Sequence, residues 1–450
     1  MPGISVKVVA SRIDCFNLRE GTLPQIMTGL LFASLLVLQS PAPTRYDMGE
    51  RLKALESSWM KADEQRKRAA VPFISQAVTS FFTQQFGPAC RSLDSASAAL
   101  AGRPLKPEDG ITLRFLPGHS SPDGKIRLSV TWAYTLPDAQ SVKVDINGVT
   151  TDFKPGEGGV VELDVARLPM QKTGLSDSSL SLPIKVGADQ RALRLFVGNR
   201  FKERASALAA NPDSDIAILG RLLTDQAEGK TEQDIDLVDV MSLGEKLASG
   251  STPKAVVKDW PLAIEGSTRL RARFPDQQDA NETLVIALHG AGGSENLFFE
   301  GYGRGLAVDE SIKRSWAIIA PRSSPTAVKD SLAWVKRIRG WTPKRVIVMG
   351  HSMGGGLALQ SGSVSPKPSA VVLFAPAGRQ VPESLKGVPM YLAVGKQEIM
   401  MLGASAQEIK KARESAPWFR FNLVDPCEHL MIVADALPDA YKWLDETLRP

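Results

Sequence analysis

The apolar positions follow one period in the first hundred residues, another in the next hundred, and a third after residue 283. Between residues 46 and 100, Leu52, Leu55 and Trp59 recur at helical spacing. Phe73, Ala77, Ser80 and Phe81 continue a second helical stretch after Pro72, which a helix tolerates near its start. Past Pro104 the period shortens to two. The segments KIRLSVTWAYTL (125–136), SVKVDINGVTTDF (141–153), GVVELDV (159–165), SLSLPIKV (179–186) and RALRLFVG (191–198) read as strands. Pro-Asp-Gly, Asn-Gly and Gly-Glu-Gly-Gly turns separate them, and Asn147-Gly148 is a good hairpin pair. These short strands predict a β-sandwich-like domain over 105–200. Residues 201–260 return to polar helical spacing and read as a helical linker region.

From Thr283 onward, continuous apolar runs alternate with helical segments. TLVIALHG ends at Gly290, SWAIIAPR at Arg322, RVIVMGH at His351, AVVLFAP at Pro376, MYLAVGK at Lys396 and FRFNLVD at Asp425. Helices are predicted around 296–308, 327–338, 404–415 and 430–448, with one starting near Met353. Strands apolar on both faces, joined by helices, imply a parallel sheet covered on each side, with its chemistry at the carboxyl ends of the strands. The predicted class is α/β. A catalytic sheet domain at 261–450 follows a helical segment at 43–104 and the β-rich domain.

The candidate chemistry gathers at those strand ends. Gly350-His351-Ser352-Met353-Gly354 lies between a predicted strand and a predicted helix, the setting of a nucleophile elbow, where a sharp turn projects a serine hydroxyl above the sheet. A serine needs a base. The chain has four histidines: His119, His289, His351 and His429. His429 follows the last strand and is the predicted base, whereas His289 and His351 are expected to support loops. The acid should lie between Ser352 and His429, and Glu398 follows the penultimate strand. Asp425 and Glu428 are rivals, both close to His429 along the chain. An oxyanion hole would use the amides of Met353 and of Ala291, the latter in His289-Gly290-Ala291-Gly292-Gly293.

LHGAGG, GHSMGG, VGKQE and CEHL, in this order, resemble the α/β-hydrolase superfamily of serine hydrolases, especially its esterase, lipase and polyhydroxyalkanoate-depolymerase-like members. The resemblance covers about residues 265–450. It implies a catalytic triad of Ser352, His429 and Glu398, an acyl-enzyme intermediate, and neither metal nor organic cofactor. Glu398 departs from the commoner aspartate, so Asp425 stays open as the acid. The expected activity is carboxylic-ester hydrolysis. A prolyl-oligopeptidase-like serine peptidase and a non-catalytic binding protein on the same scaffold are the alternatives. Only twelve residues (377–388) separate Pro376 from the next strand, too few for a helical cap. The site is thus expected to be open unless the N-terminal part covers it, suiting a small-molecule or polymeric ester.

Composition adds limits. The chain has 450 residues, is 43% hydrophobic and 23% charged, and carries a net charge of +5. It has no dense basic run, so nucleic-acid binding is not expected. Arg66-Lys67-Arg68 reads as a solvated helix face. Ile26–Leu38 is an apolar run too short for a comfortable membrane span, preceded by Lys7, Arg12 and Arg19 and followed by Ser40, Pro41, Ala42 and Pro43. That is a signal-peptide pattern over 1–42, with a start at Met27, an uncleaved anchor or a buried helix as other readings. The expected location is secreted or periplasmic, without stable membrane association after cleavage. Cys15 would leave with the leader, and Cys90 and Cys427 would pair or stay as buried thiols.

Overall fold

A computed structural model describes residues 38–146, 148–168, 177–230, 235–279, 282–378, 380–398 and 402–448. The leader expected at 1–42 falls almost wholly outside the described residues. The chain forms two compact units. The first holds the residues up to 43, 106–201 and 227–229, and the second holds 44–105, 202–226 and 230–450.

The first unit contains two sheets. One has the order Leu38–Gln39, Glu157–Asp164, Lys125–Trp132, Ile111–Phe115. The other has the order His119–Ser120, Asp189–Gly198, Asp177–Val186, Val142–Ile146, Val149–Phe153. All pairings are antiparallel except His119–Ser120 with Asp189–Gly198. Alternation decides which side chains go inside. In Lys125–Trp132, Ile126, Leu128, Val130 and Trp132 are buried while Lys125 and Arg127 are exposed. They share one core with Val144, Ile184 and Leu195 of the other sheet. Strands Val142–Ile146 and Val149–Phe153 pair with Ile146 opposite Val149, around the turn that the Asn147-Gly148 pair predicts. Gly148 there has φ +84° and Asn147 is outside the described residues.

The second unit begins with three helices, α1 (Arg45–Trp59), α2 (Glu64–Phe82) and α3 (Phe86–Leu100). Its sheet has eight strands: β1 (Asp259–Glu265), β2 (Thr268–Arg273), β3 (Thr283–Leu288), β4 (Ala317–Pro321), β5 (Arg345–His351), β6 (Ala370–Phe374), β7 (Met390–Gly395) and β8 (Phe419–Val424). Their order across the sheet is β1-β2-β4-β3-β5-β6-β7-β8. Strands β3 to β8 are parallel, and the β1–β2 hairpin adds antiparallel to β4. Helices α4 (Leu306–Lys313), α5 (Ala327–Arg339), α6 (Met353–Leu359), α7 (Leu402–Arg413) and α8 (Ile432–Thr447) follow their strands. Strands β3 to β7 are buried at nearly every residue, as their unbroken apolar runs require.

Helices α1 to α3 bury their apolar faces in this same unit. Leu55, Trp59, Ile74 and Leu93 share a core with Phe298, Tyr302, Met431 and Leu437. Polar contacts fasten them further. Asp435 of α8 accepts from Trp59 Nε1 at 2.9 Å and from Lys67 Nζ at 2.8 Å, and Arg68 pairs with Asp425 at 2.9 Å. Lys67 and Arg68 thus hold partners, while Arg66 and Arg68 stay about half exposed, in keeping with the solvated face expected for this basic cluster. Helix α2 differs from expectation in continuing through Pro72. Asp63 caps it by accepting from the Arg66 amide at 2.9 Å, and Pro72 is exposed, where a missing N–H costs least. The predicted helix at 296–308 is broken instead at Gly301-Tyr302-Gly303-Arg304-Gly305, because Tyr302 and Arg304 have φ +47° and +62°. Cys90 and Cys427 are both buried free thiols.

Candidate active site

Ser352 sits between β5 and α6 with φ 52° and ψ −119°, a conformation that costs a non-glycine residue free energy. Neighbouring strands hold it there. Its N–H donates to the Phe374 carbonyl at 3.0 Å, and its carbonyl accepts from Ala377 at 2.8 Å and Gly356 at 3.2 Å. The flanking glycines permit this close approach. A Cβ on Gly350 would strike the Gly354 carbonyl, and one on Gly354 would strike the Leu288 carbonyl.

His429 follows β8, and Glu398 stands in the turn after β7. Nδ1 of His429 donates to Oε2 of Glu398 at 3.0 Å, with the two side chains only 4% and 2% exposed. That bond puts the proton on Nδ1 and leaves Nε2 as an acceptor. The rival acids have other partners. Asp425 accepts from Arg68, Lys396 and Gln397, and these bonds hold its carboxyl well below the usual range. Glu428 accepts the amides of Leu430 and Met431 at 2.9–3.1 Å, and burial raises its pKa to about 7.

A chain of hydrogen bonds runs behind these residues. The Gly290 amide donates to Tyr302 Oη at 3.2 Å, Tyr302 donates to His351 Nδ1 at 2.6 Å, and His351 Nε2 donates to the His429 carbonyl at 2.9 Å. Burial, then the nearby His429, drives the His351 pKa well down, so the ring is neutral and keeps this polarity. The Tyr302 amide donates to Oε1 of Glu56 on α1 at 3.0 Å. Burial raises the pKa of Glu56 to about 7. His289 stiffens the glycine loop after β3. Its Nδ1 donates to the Gly290 carbonyl at 2.8 Å and its Nε2 accepts from the Ser323 amide at 3.0 Å. Burial also lowers its pKa. His119 belongs to the other unit, where it stacks on Phe201 at 4.3 Å.

Ser352, His351, His429, Gly290 and Ala291 line one cavity of about 120 Å³. The Met353 amide opens α6, where helix N–H groups lack intrahelical acceptors. Among its described residues, the short segment 377–388 forms the turn Glu383–Leu385 and lines no part of the cavity. Much of the wall comes from α1 to α3, through Met48, Leu52, Glu56, Val78, Phe81 and Leu93, with Leu297, Tyr302 and Leu430 beside them. Sequence reasoning did not reach Tyr302 or Glu56. The alternating glycines around Tyr302 are the one local signal, and Glu56 has none.

No protein-family model and no curated protein matches this chain. Solved structures do. An esterase from Pyrococcus furiosus is 18% identical over 42% of this chain and 90% of its own, with a TM-score of 0.33. A dienelactone hydrolase from Anabaena variabilis is 15% identical over 43% of this chain and 100% of its own, TM-score 0.35. An S-formylglutathione hydrolase from Agrobacterium tumefaciens is 14% identical over 40% of this chain and 90% of its own, TM-score 0.33.

Proposed function

We propose that this chain is a serine hydrolase of the α/β-hydrolase type that cleaves carboxylic esters. One observation carries the reading: a single cavity holds Ser352 on its strained turn together with His429, whose Nδ1 is bonded to Glu398. Ser352 Oγ attacks the ester carbonyl while His429 Nε2 takes its proton. The amides of Met353 and Ala291 stabilise the oxyanion. The tetrahedral adduct collapses, and His429 returns the proton to the leaving alcohol. Water then attacks the acyl-enzyme with His429 again as base, releasing the acid and restoring Ser352. Glu398 holds the imidazole and stabilises its charged form. We further propose that the enzyme is exported, on the leader pattern before residue 42, and that its substrate is a small ester because α1 to α3 line the cavity.

A fluorophosphonate probe, read by intact-protein mass, tests the chemistry. Wild type should gain one adduct, and Ser352→Ala should gain none and lose ester turnover while its melting temperature stays within a few degrees. Labelling of the variant would move the nucleophile elsewhere. An unlabelled but folded wild type would leave a binding protein, and cleavage of prolyl peptides in preference to esters would make it a peptidase.

A further inference from the structure

We infer that the helices preceding the sheet build the acyl subsite, that it accepts a compact apolar acyl group, and that Phe81 sets its limit. The inference rests on the ester-hydrolase reading above. Met48 and Leu52 of α1, Val78 and Phe81 of α2, Leu93 of α3 and Leu297 give the cavity an apolar wall. This wall meets the glycine loop directly. A Cβ on Gly292 would collide with the Phe81 ring, and one on Gly293 would lie 2.8 Å from Leu297 Cδ2. Gly292 adjoins Ala291, the proposed oxyanion donor, and Gly293 follows it. The leaving alcohol must lie beside His429 to receive its proton. The acyl group therefore extends the other way, along the loop toward Phe81 and Leu297.

Size follows from volume. An apolar cavity of about 150 Å³ holds a benzene molecule, and this one measures about 120 Å³. An acyl group of roughly four to six carbons, or a single ring, is of the size such a space holds. Phe81 is half-buried and comes from α2, so it closes the pocket with a side chain outside the sheet's own loops. Leu52 does the same from α1.

The test uses p-nitrophenyl esters from acetate to dodecanoate, beside acetates of alcohols from ethanol to octanol. For wild type, kcat/KM should peak at four to six acyl carbons and fall at least about tenfold by twelve, while alcohol length has a smaller effect. Phe81→Ala should raise the octanoate-to-acetate ratio about tenfold or more, and Leu52→Trp should lower the hexanoate-to-acetate ratio. Because the two variants lie on different helices, failure of one to fold leaves the other to decide. A flat acyl profile, a profile that instead follows the alcohol, or unmoved ratios in a folded variant overturns the subsite while the esterase reading stands. No turnover of any ester, with no fluorophosphonate labelling of folded wild type, overturns both.

Discussion

The imidazole of His429 donates its Nδ1–H to Glu398 in a hydrogen bond and so keeps Nε2 as an acceptor. A glutamine at 398 offers an amide to Nδ1 as readily as a carbonyl, which permits the wrong tautomer. Glu398→Gln should therefore lower kcat by about 10²–10⁴-fold with a smaller change in KM. A near-normal kcat would return the role to Asp425, which wild type holds between Arg68, Lys396 and Gln397. Tyr302→Phe removes the acceptor of the Gly290 amide and the donor to His351. A buried N–H left unpaired costs about 1–3 kcal/mol, so turnover should fall by about tenfold or more, and unchanged kinetics would detach Tyr302 from the loop. Ser352, His429 and Glu398 were legible because each follows a predicted strand, and a parallel sheet gathers such ends on one edge. Tyr302 and Glu56 were not, since their partners lie 49 and 246 residues away.

At the scale of elements, the turn from β5 to α6 depends on backbone contact. Gly354→Ala would press a methyl group into the Leu288 and His289 carbonyls. Overpacking of this kind costs about 1–3 kcal/mol, so the variant should unfold at lower denaturant concentration and lose activity. Equal stability would mean the strand and helix can part at little cost. Strands β3 to β8 could be read from their apolar runs. The β1–β2 hairpin could not, because Thr268–Arg273 is short, alternating and rich in arginine, and looks like an exposed segment until it pairs with β4. Helices α1 to α3 could be recognised as helices. Periodicity identifies their apolar faces but not the surface those faces meet.

For the whole molecule, buried carboxyls make stability depend on pH. Burial raises Glu56 from its ordinary value of 4.5 to about 7. Below pH 4.5 it is protonated whether the chain is folded or not. Between 4.5 and 7 the unfolded chain ionises while the folded one stays protonated, so this group's stabilising share is lost as pH rises. Wild type should lose about 3 kcal/mol relative to Glu56→Gln between pH 4.5 and 7.5, measured by denaturant unfolding. His289 and His351, depressed by burial, act oppositely below pH 6.5 and cancel in the comparison. Parallel curves for the two proteins would mean that Glu56 is already ionised at low pH.

The hydrogen bond from Trp59 to Asp435 spans 376 positions in the sequence. During synthesis, α1 leaves the ribosome long before α8 exists to receive it. Contacts of such range close late, since their loop entropy is lost before any packing is gained. The pocket wall is thus among the last parts to settle. A chain interrupted before α8 would hold Ser352 and His429 but lack the anchor of that wall. Assembly of the cavity in this way waits for α8, whatever has settled before it.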